Sequence, residues 1–257
     1  MISANLMGGL GNQMFQIMTA YAHSKEVEDD FYFDFDKCYT PNQGHTSSKY
    51  LPNLFKKLKN DKQENHFQFV YNETTFSYRP IPKEKNLRLN GVFQSEKYFD
   101  NYKSDINQVF NLDSSKMRDT RNHLEDICSS DIITSVHIRR GDYLSKPYFH
   151  TTPNTEYYKN CMELIGDSKF IIVSDDIEWC KNTFISENVF FSDFTDELDD
   201  LYLIMMCNNK IMSNSSFSWW GSYLSPFDGK IFAPKNWFGP QGPQDTQDIY
   251  NKNWNVI

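Results

Sequence analysis

The sequence has little that would place it in a membrane or on a nucleic acid. No apolar run approaches the roughly 18 residues of a membrane span. YLIMMC at 202–207 is among the longest, and it reads as a core helix. Lysine and arginine total 26 against 34 aspartates and glutamates, a net charge of −8. That balance lacks the basic stripe of a general nucleic-acid surface. The KKLK run at 56–59 is short and fits a solvated helix face. The opening MISANLMGGLGNQ has no basic segment followed by an apolar stretch, so no leader peptide is expected. The five cysteines (Cys38, Cys128, Cys161, Cys180, Cys207) are odd in number and scattered, with no CxxC. Neither a zinc site nor a disulfide framework is indicated, and a reducing cytoplasm is the expected compartment. Internal repeats and low-complexity linkers are missing too. The N-x-S/T sequons at Asn72 and Asn214 are chance matches in an asparagine-rich chain.

What is present predicts a folded chain of one large domain or two modest ones. Hydrophobic content is low at 39%, but aromatics at 16% supply bulky core material. SANL at 3–6 predicts a strand and MGGLG a loop, followed by a helix over about 12–25 with Met14, Ile17, Met18 and Tyr21 on one face. DFYFDFD at 30–36 alternates like a strand. Residues 40–100 are less periodic and predict loops and short elements. Beyond them, strands at 132–138, 169–173, 189–192, 210–212 and 230–234 alternate with helices, one running from a Thr195 cap to Cys207. That alternation predicts an α/β fold with a mostly parallel sheet, and a domain boundary is placed near residue 125, giving halves 1–125 and 126–257.

Ligands of open α/β sheets sit beyond the carboxyl ends of the strands. Three predicted strand ends carry polar groups: Arg139 and Arg140, then Ser174, Asp175 and Asp176, then Ser213, Asn214, Ser215 and Ser216. Guanidinium forks match phosphate oxygens and stay charged, and a serine-rich helix start offers amides and hydroxyls to the same anion. An aspartate can take the paired N–H donors of guanine. Taken alone, each segment is more ordinary: a surface arginine pair, a helix cap, a capped turn. Together they point to a nucleotide-diphosphate site.

HIRRGD at 137–142 resembles the H-x-R-R-x-D motif of the α-1,2-fucosyltransferase family, the bacterial type of glycosyltransferase family 11. GGLGNQMFQ at 8–16 and SNSSFSWWGSYL at 213–224 resemble its other hallmark segments, and SDD at 174–176 falls where related enzymes carry T/S-D-D. The resemblance implies a GT-B-type architecture, with two Rossmann-like halves facing a cleft: an N-terminal acceptor-side half and a C-terminal donor-binding half. It implies GDP-β-L-fucose as co-substrate, inversion, no cofactor and no required metal. By the same resemblance Arg139 and Arg140 hold the diphosphate, Asp175 reads guanine, and Asp176 or Ser174 touches base or ribose. Ser215, Ser216 and the Phe217 amide cradle phosphate beside Asn214. Asn12 and Gly11 approach the donor from the other half, and His137 supports the arginines. The partner is a galactose-terminated oligosaccharide or lipid-linked glycan, such as an O-antigen. Cytoplasmic placement, with peripheral association at the inner face of the membrane, fits such an acceptor.

Other motifs compete. Gly9-Leu10-Gly11 is not a dinucleotide fingerprint, because Met14 stands where the third glycine belongs. Asp34-Phe35-Asp36 offers two carboxylates to a metal, which would make the protein a metal-dependent glycosyltransferase. Arg140-Gly141-Asp142 spells an adhesion tripeptide only by coincidence. Trp219 and Trp220 are expected in the core. A non-catalytic nucleotide or sugar binder is the rival from a different functional class.

Overall fold

The computed structural model describes residues 1–37, 44–61, 67–130 and 132–257, and Cys38 lies outside them. The chain forms two compact units, Met1–Leu112 with Asp245–Ile249, and Asp113–Gln244 with Tyr250–Ile257. No helix of the described residues is long and apolar enough to cross a membrane.

The first unit is built on strand β1 (Ile2–Ala4) and helix α1 (Leu10–Glu26), with β2 (Phe69–Asn72), β3 (Leu87–Asn90) and the short α2 (Ile106–Val109). Its sheet is parallel, in the order β1-β3-β2. α1 matches the expected helix but buries more than one face: Phe15, Ala20 and Ala22 are as covered as Met14, Ile17 and Met18. A helix covered on all sides needs apolar or hydrogen-bonded residues around its circumference. β3 was not anticipated, although Leu87 and Leu89 point inward while Arg88 and Asn90 are half-buried, the period of a strand. The segment 30–36 is not the regular strand expected. Tyr32 N–H donates to the Ile2 carbonyl and Phe33 N–H to the Lys59 carbonyl, so successive residues bond to different neighbours and no ladder forms. Tyr32, Phe33 and Phe35 are all buried, and Asp34 and Asp36 flank a turn rather than sharing a strand face.

The second unit begins earlier than the boundary expected near 125. Helix α3 (Ser114–Cys128) belongs to it, because Leu124 and Cys128 pack with Ile133, Ile171 and Leu203 in that unit's core. The chain continues through β4 (Ile133–Ile138), α4 (Thr155–Ile165), β5 (Lys169–Ser174), α5 (Ile177–Thr183) and β6 (Val189–Phe191). Then come α6 (Glu197–Met206), β7 (Asn209–Ile211), α7 (Ser216–Tyr223), β8 (Ile231–Ala233) and β9 (Asn255–Val256). All neighbours pair in parallel, in the order β6-β5-β4-β7-β8-β9. The edge beside β8 is therefore covered by β9, a strand that periodicity did not reveal. Asp196, not Thr195, caps α6, its carboxylate accepting the Leu198 amide at 2.8 Å. Trp219 and Trp220 are wholly buried, as expected.

β4 is buried along its whole length, with Val136 and Ile138 in one core cluster and Ile133 in another, as for a strand covered by helices on both faces. His137 shares that burial. Its Nδ1 has no hydrogen-bond partner among the described residues, and burial, then the nearby Arg139 charge, push its pKa down to about 3. The unfolded chain binds this proton below the ordinary value of 6.5 and the folded chain does not, so folding weakens as pH falls through that window. Denaturant titrations at pH 7 and pH 5 should show that His137→Leu escapes about 1–2 kcal/mol of the acid destabilisation seen in the wild type. Equal acid sensitivity would mean that the histidine already protonates in the fold.

Candidate functional site

The polar segments singled out in the sequence converge at one edge of the second sheet. β5, β4 and β7 are adjacent, and their register sets Ile138 beside Ser174 and Val136 beside Ile211. From β4 the chain first winds outward through β5 and β6, then crosses back to place β7 on the other side of β4. The crevice between β4 and β7 is thus the topological switch point, where ligands of such sheets bind. Arg139 and Arg140 follow β4, and Ser213–Ser216 follow β7. Gly11 and Asn12 belong to the first unit.

Three aspartates organise the two arginines. Arg139 pairs through Nη2 with Asp142 and through Nη1 with Asp175 at 3.0 Å. Asp175 also accepts the Arg140 backbone amide at 2.9 Å. Gly141 makes that approach possible, since a Cβ there would strike the Asp175 carboxylate. Arg140 donates its Nε–H to Asp176 at 3.0 Å, and its guanidinium carbon lies 3.6 Å from the centre of the Trp179 ring. Among the described residues, Nη1 and Nη2 of Arg140 carry no hydrogen bond. Burial pulls the Arg139 pKa down, but the Asp175 and Asp142 carboxylates outweigh it and raise the value. The Arg139 guanidinium therefore stays charged, with both its Nη atoms engaged by carboxylates, whereas the Nη edge of Arg140 is open among the described residues.

The remaining residues divide between wall and scaffold. Ser174 Oγ accepts the Asp176 amide at 3.0 Å, and Asp176 caps α5 by accepting the Trp179 amide at 3.3 Å. Ser215 caps α7, its hydroxyl accepting the Phe217 amide at 3.3 Å. Asn214 is buried, and its side-chain amide donates to the Thr151 and Trp237 carbonyls at 2.7 and 2.8 Å. It ties loops together rather than facing the crevice. Ser216 opens α7, where the positive end of the helix dipole lies. His137 packs its ring 5.5 Å from Phe217. Sequence reasoning missed Trp179 and Tyr143. Trp179 follows Asp176 by three residues in α5, a spacing that puts both on one helix face. Tyr143 lies under Arg139 at 5.5 Å and donates its hydroxyl to the Asn214 carbonyl at 3.1 Å.

In the first unit, Gly8 has φ +74°, a conformation that favours glycine. Gln13 Nε2 donates to the Gly8 carbonyl at 2.9 Å, and Gln16 bonds both N–H and C=O of Met7. Asn12 Oδ1 accepts from Gln94 at 2.7 Å, and Gly11 is buried in the first turn of α1. Asp34 pairs with Lys37 at 3.7 Å and accepts the Asp36 amide at 3.2 Å.

The O-antigen biosynthesis glycosyltransferase WbnK of Escherichia coli is 29% identical over 91% of this chain and 93% of its own length. The α-1,2-colitosyltransferase of Escherichia coli is 31% identical, with 92% of each chain covered. The NodZ α-1,6-fucosyltransferase of Bradyrhizobium, crystallised with GDP, superposes with a TM-score of 0.53 at 15% identity over 88% of this chain and 93% of its own. That likeness is one of fold, the GT-B-type α/β architecture with parallel sheets. The sequence pattern of Glycosyl transferase family 11 matches residues 1–257 from end to end, and the chain belongs to that family.

Proposed function

We propose that the protein is an inverting glycosyltransferase that moves L-fucose from GDP-β-L-fucose to O2 of a terminal β-galactoside. In this reading Arg140 stabilises the departing diphosphate, and neither a metal nor a cofactor takes part. The observation that carries it is the open edge of Arg140 at the switch point. Among the described residues both Nη groups carry no hydrogen bond, while Asp176 holds the Nε edge. As the acceptor oxygen forms its bond to C1 of fucose, the C1–O bond to phosphate breaks and its electron pair stays with the β-phosphate. The proton of the attacking hydroxyl passes to solvent water on the face of the ring opposite the leaving phosphate. Negative charge thus grows beside a fixed guanidinium, and preorganised donors of this kind are often the largest catalytic contribution.

The same geometry supports a division of labour among the other residues. Arg139, engaged at both Nη atoms by Asp142 and Asp175, sets the position of Asp175 and adds field rather than a direct contact. Asp175 has spent two of roughly four lone-pair directions on Arg139 Nη1 and the Arg140 amide, which leaves acceptor capacity for the paired donors of guanine. Ser216 and the dipole end of α7 face the phosphates, while Ser215, Asn214 and Phe217 shape that turn. Ser174 and Asp176 border the nucleoside, and His137 backs the strand. The acceptor is a bacterial surface glycan, in keeping with the O-antigen enzyme among the relatives, and a lipid-linked acceptor would call for peripheral association with the membrane.

A second reading concerns the donor sugar. The 31% identical relative is named for colitose, which lacks the 3-hydroxyl of fucose, so GDP-colitose is the alternative donor for the same site. A panel of GDP-fucose, GDP-colitose, GDP-mannose and UDP-galactose against galactoside acceptors should give transfer from GDP-fucose, with an α-1,2 linkage by NMR. Preferential use of GDP-colitose would establish the second reading. Arg140→Ala should lose on the order of 10²–10³-fold in turnover with an unchanged circular-dichroism spectrum, and near-wild-type turnover would remove Arg140 from the chemistry. Turnover should persist in excess EDTA. Loss restored by Mn²⁺ would instead favour the carboxylates Asp34 and Asp36.

A further inference from the structure

We infer that Trp179 is a positioning residue that holds the plane of the Arg140 guanidinium for the departing phosphate. The inference rests on the reading that Arg140 meets that phosphate. The guanidinium carbon lies 3.6 Å from the ring centroid, the separation of two flat groups in van der Waals contact. Asp176 takes the Nε–H of the same group at 3.0 Å and also accepts the Trp179 amide at 3.3 Å. One turn of α5 therefore grips Arg140 at its Nε edge and on one face. The two Nη atoms, which a diphosphate would use, are left outside that grip.

The choice of an indole has a chemical reason. The face of an aromatic ring attracts a cation without accepting its N–H donors in fixed directions. A further carboxylate in that place would compete with phosphate for the Nη protons, and three aspartates already surround the two arginines. An aliphatic side chain would fill the space without orienting the charge. Trp179 is itself steadied, packing edge-on against Phe184 at 6.0 Å and 75°, and it borders the core cluster that contains Phe184 and Cys180. The arginine side chain is 20% exposed, so the contact is largely desolvated, the condition under which such contacts are strongest.

The test compares Trp179→Phe and Trp179→Leu with the wild type in the full chain, each first shown to be folded by its amide spectrum. Trp179→Leu should lower kcat about 10-fold, the scale of a desolvated cation–π contact, with KM for the donor changed by less than about threefold. Trp179→Phe should recover most of the loss. In an Arg140→Lys background, Trp179→Leu should cost little more, because the planar group it orients is gone. Turnover of Trp179→Leu within about twofold of wild type would overturn the inference, as would Trp179→Phe falling equally far, the mark of a packing role. A third measurement is independent of the reaction. The Arg140 Nε–Hε proton resonance should be shifted upfield by the indole ring current and should move back in Trp179→Leu. A resonance unaffected by the substitution would show that the stack does not form. If the wild type transfers sugar from no GDP donor, the functional reading fails. The Arg140 Nε–Hε shift then decides the positioning role without turnover: a resonance that moves back in Trp179→Leu supports it, and one that does not move refutes it.

Discussion

Parallel pairing of β4 with β5 on one side and β7 on the other is the constraint on which the site depends. The ladder sets Ile138 beside Ser174 and Val136 beside Ile211, so three loops distant in sequence must leave the sheet at one edge. The helices between these strands cover both faces, and β4 is paired along its length with β5 and over Thr134–Val136 with β7. Only the residues just past Ile138 are released to do chemistry. The change in winding direction between β4 and β7 keeps the connecting helices from closing over that edge.

An acidic chain that handles a diphosphate poses an electrostatic difficulty, made sharper by the local count. Asp142, Asp175 and Asp176 outnumber Arg139 and Arg140, and a long-range field would repel the ligand. Geometry resolves the conflict. Each carboxylate is directed to a particular N–H: Asp142 and Asp175 to the Nη groups of Arg139, Asp175 again to the Arg140 amide, and Asp176 to the Arg140 Nε. The carboxylates hold the cations and, among the described residues, leave the Nη edge of Arg140 uncovered. At contact distance a charged hydrogen bond from that edge outweighs more distant repulsion that water and salt screen. The acids orient the arginines at some expense in field strength, and stiffness is what a preorganised donor needs.

Much of this was legible in the sequence, for identifiable reasons. β4 (ITSVHI) and β5 (KFIIVS) are rich in β-branched residues, β7 (NKI) runs into Met212, and the arginines and serines stand just beyond these strands. What stayed hidden depended on partners far along the chain. The alternation of 30–36 suggested a strand, but Phe33 pairs with residues near 60 while Tyr32 pairs with Ile2, and no local pattern encodes a change of partner. The boundary expected near 125 falls inside α3, and the packing of Leu124 and Cys128 with Ile133 and Leu203 puts the whole helix in the second unit. Thr195 and Asp196 are both good caps, and the choice between them is made by backbone geometry. Ser215 and Asn214 were read as ligand contacts because their residue types suit phosphate. In the structure the Ser215 hydroxyl accepts the Phe217 amide and the Asn214 amide donates to the Thr151 and Trp237 carbonyls, contacts that residue type alone does not reveal. Trp179 escaped notice because an aromatic in a short helix is most often core.

The glycine loop of the first unit follows the same logic with different chemistry. Polar side chains on a buried helix are costly unless satisfied. α1 nonetheless buries Gln13 and Gln16, whose amides bond the carbonyls of Gly8 and Met7. These glutamines take over the backbone pairing that a strand neighbour would supply, and they fix a loop that leaves β1 without regular structure. Gly8, at φ +74°, makes the turn, and a side chain there would press on Asn12. Asn12 is held in turn by Gln94. GGLGNQMFQ therefore encodes a supported loop more than a set of ligand contacts: two glutamines brace it, one glycine bends it, and one asparagine is aimed by it. In each unit one polar side chain, Arg140 or Asn12, is held by a neighbour whose own side chain is used in holding it.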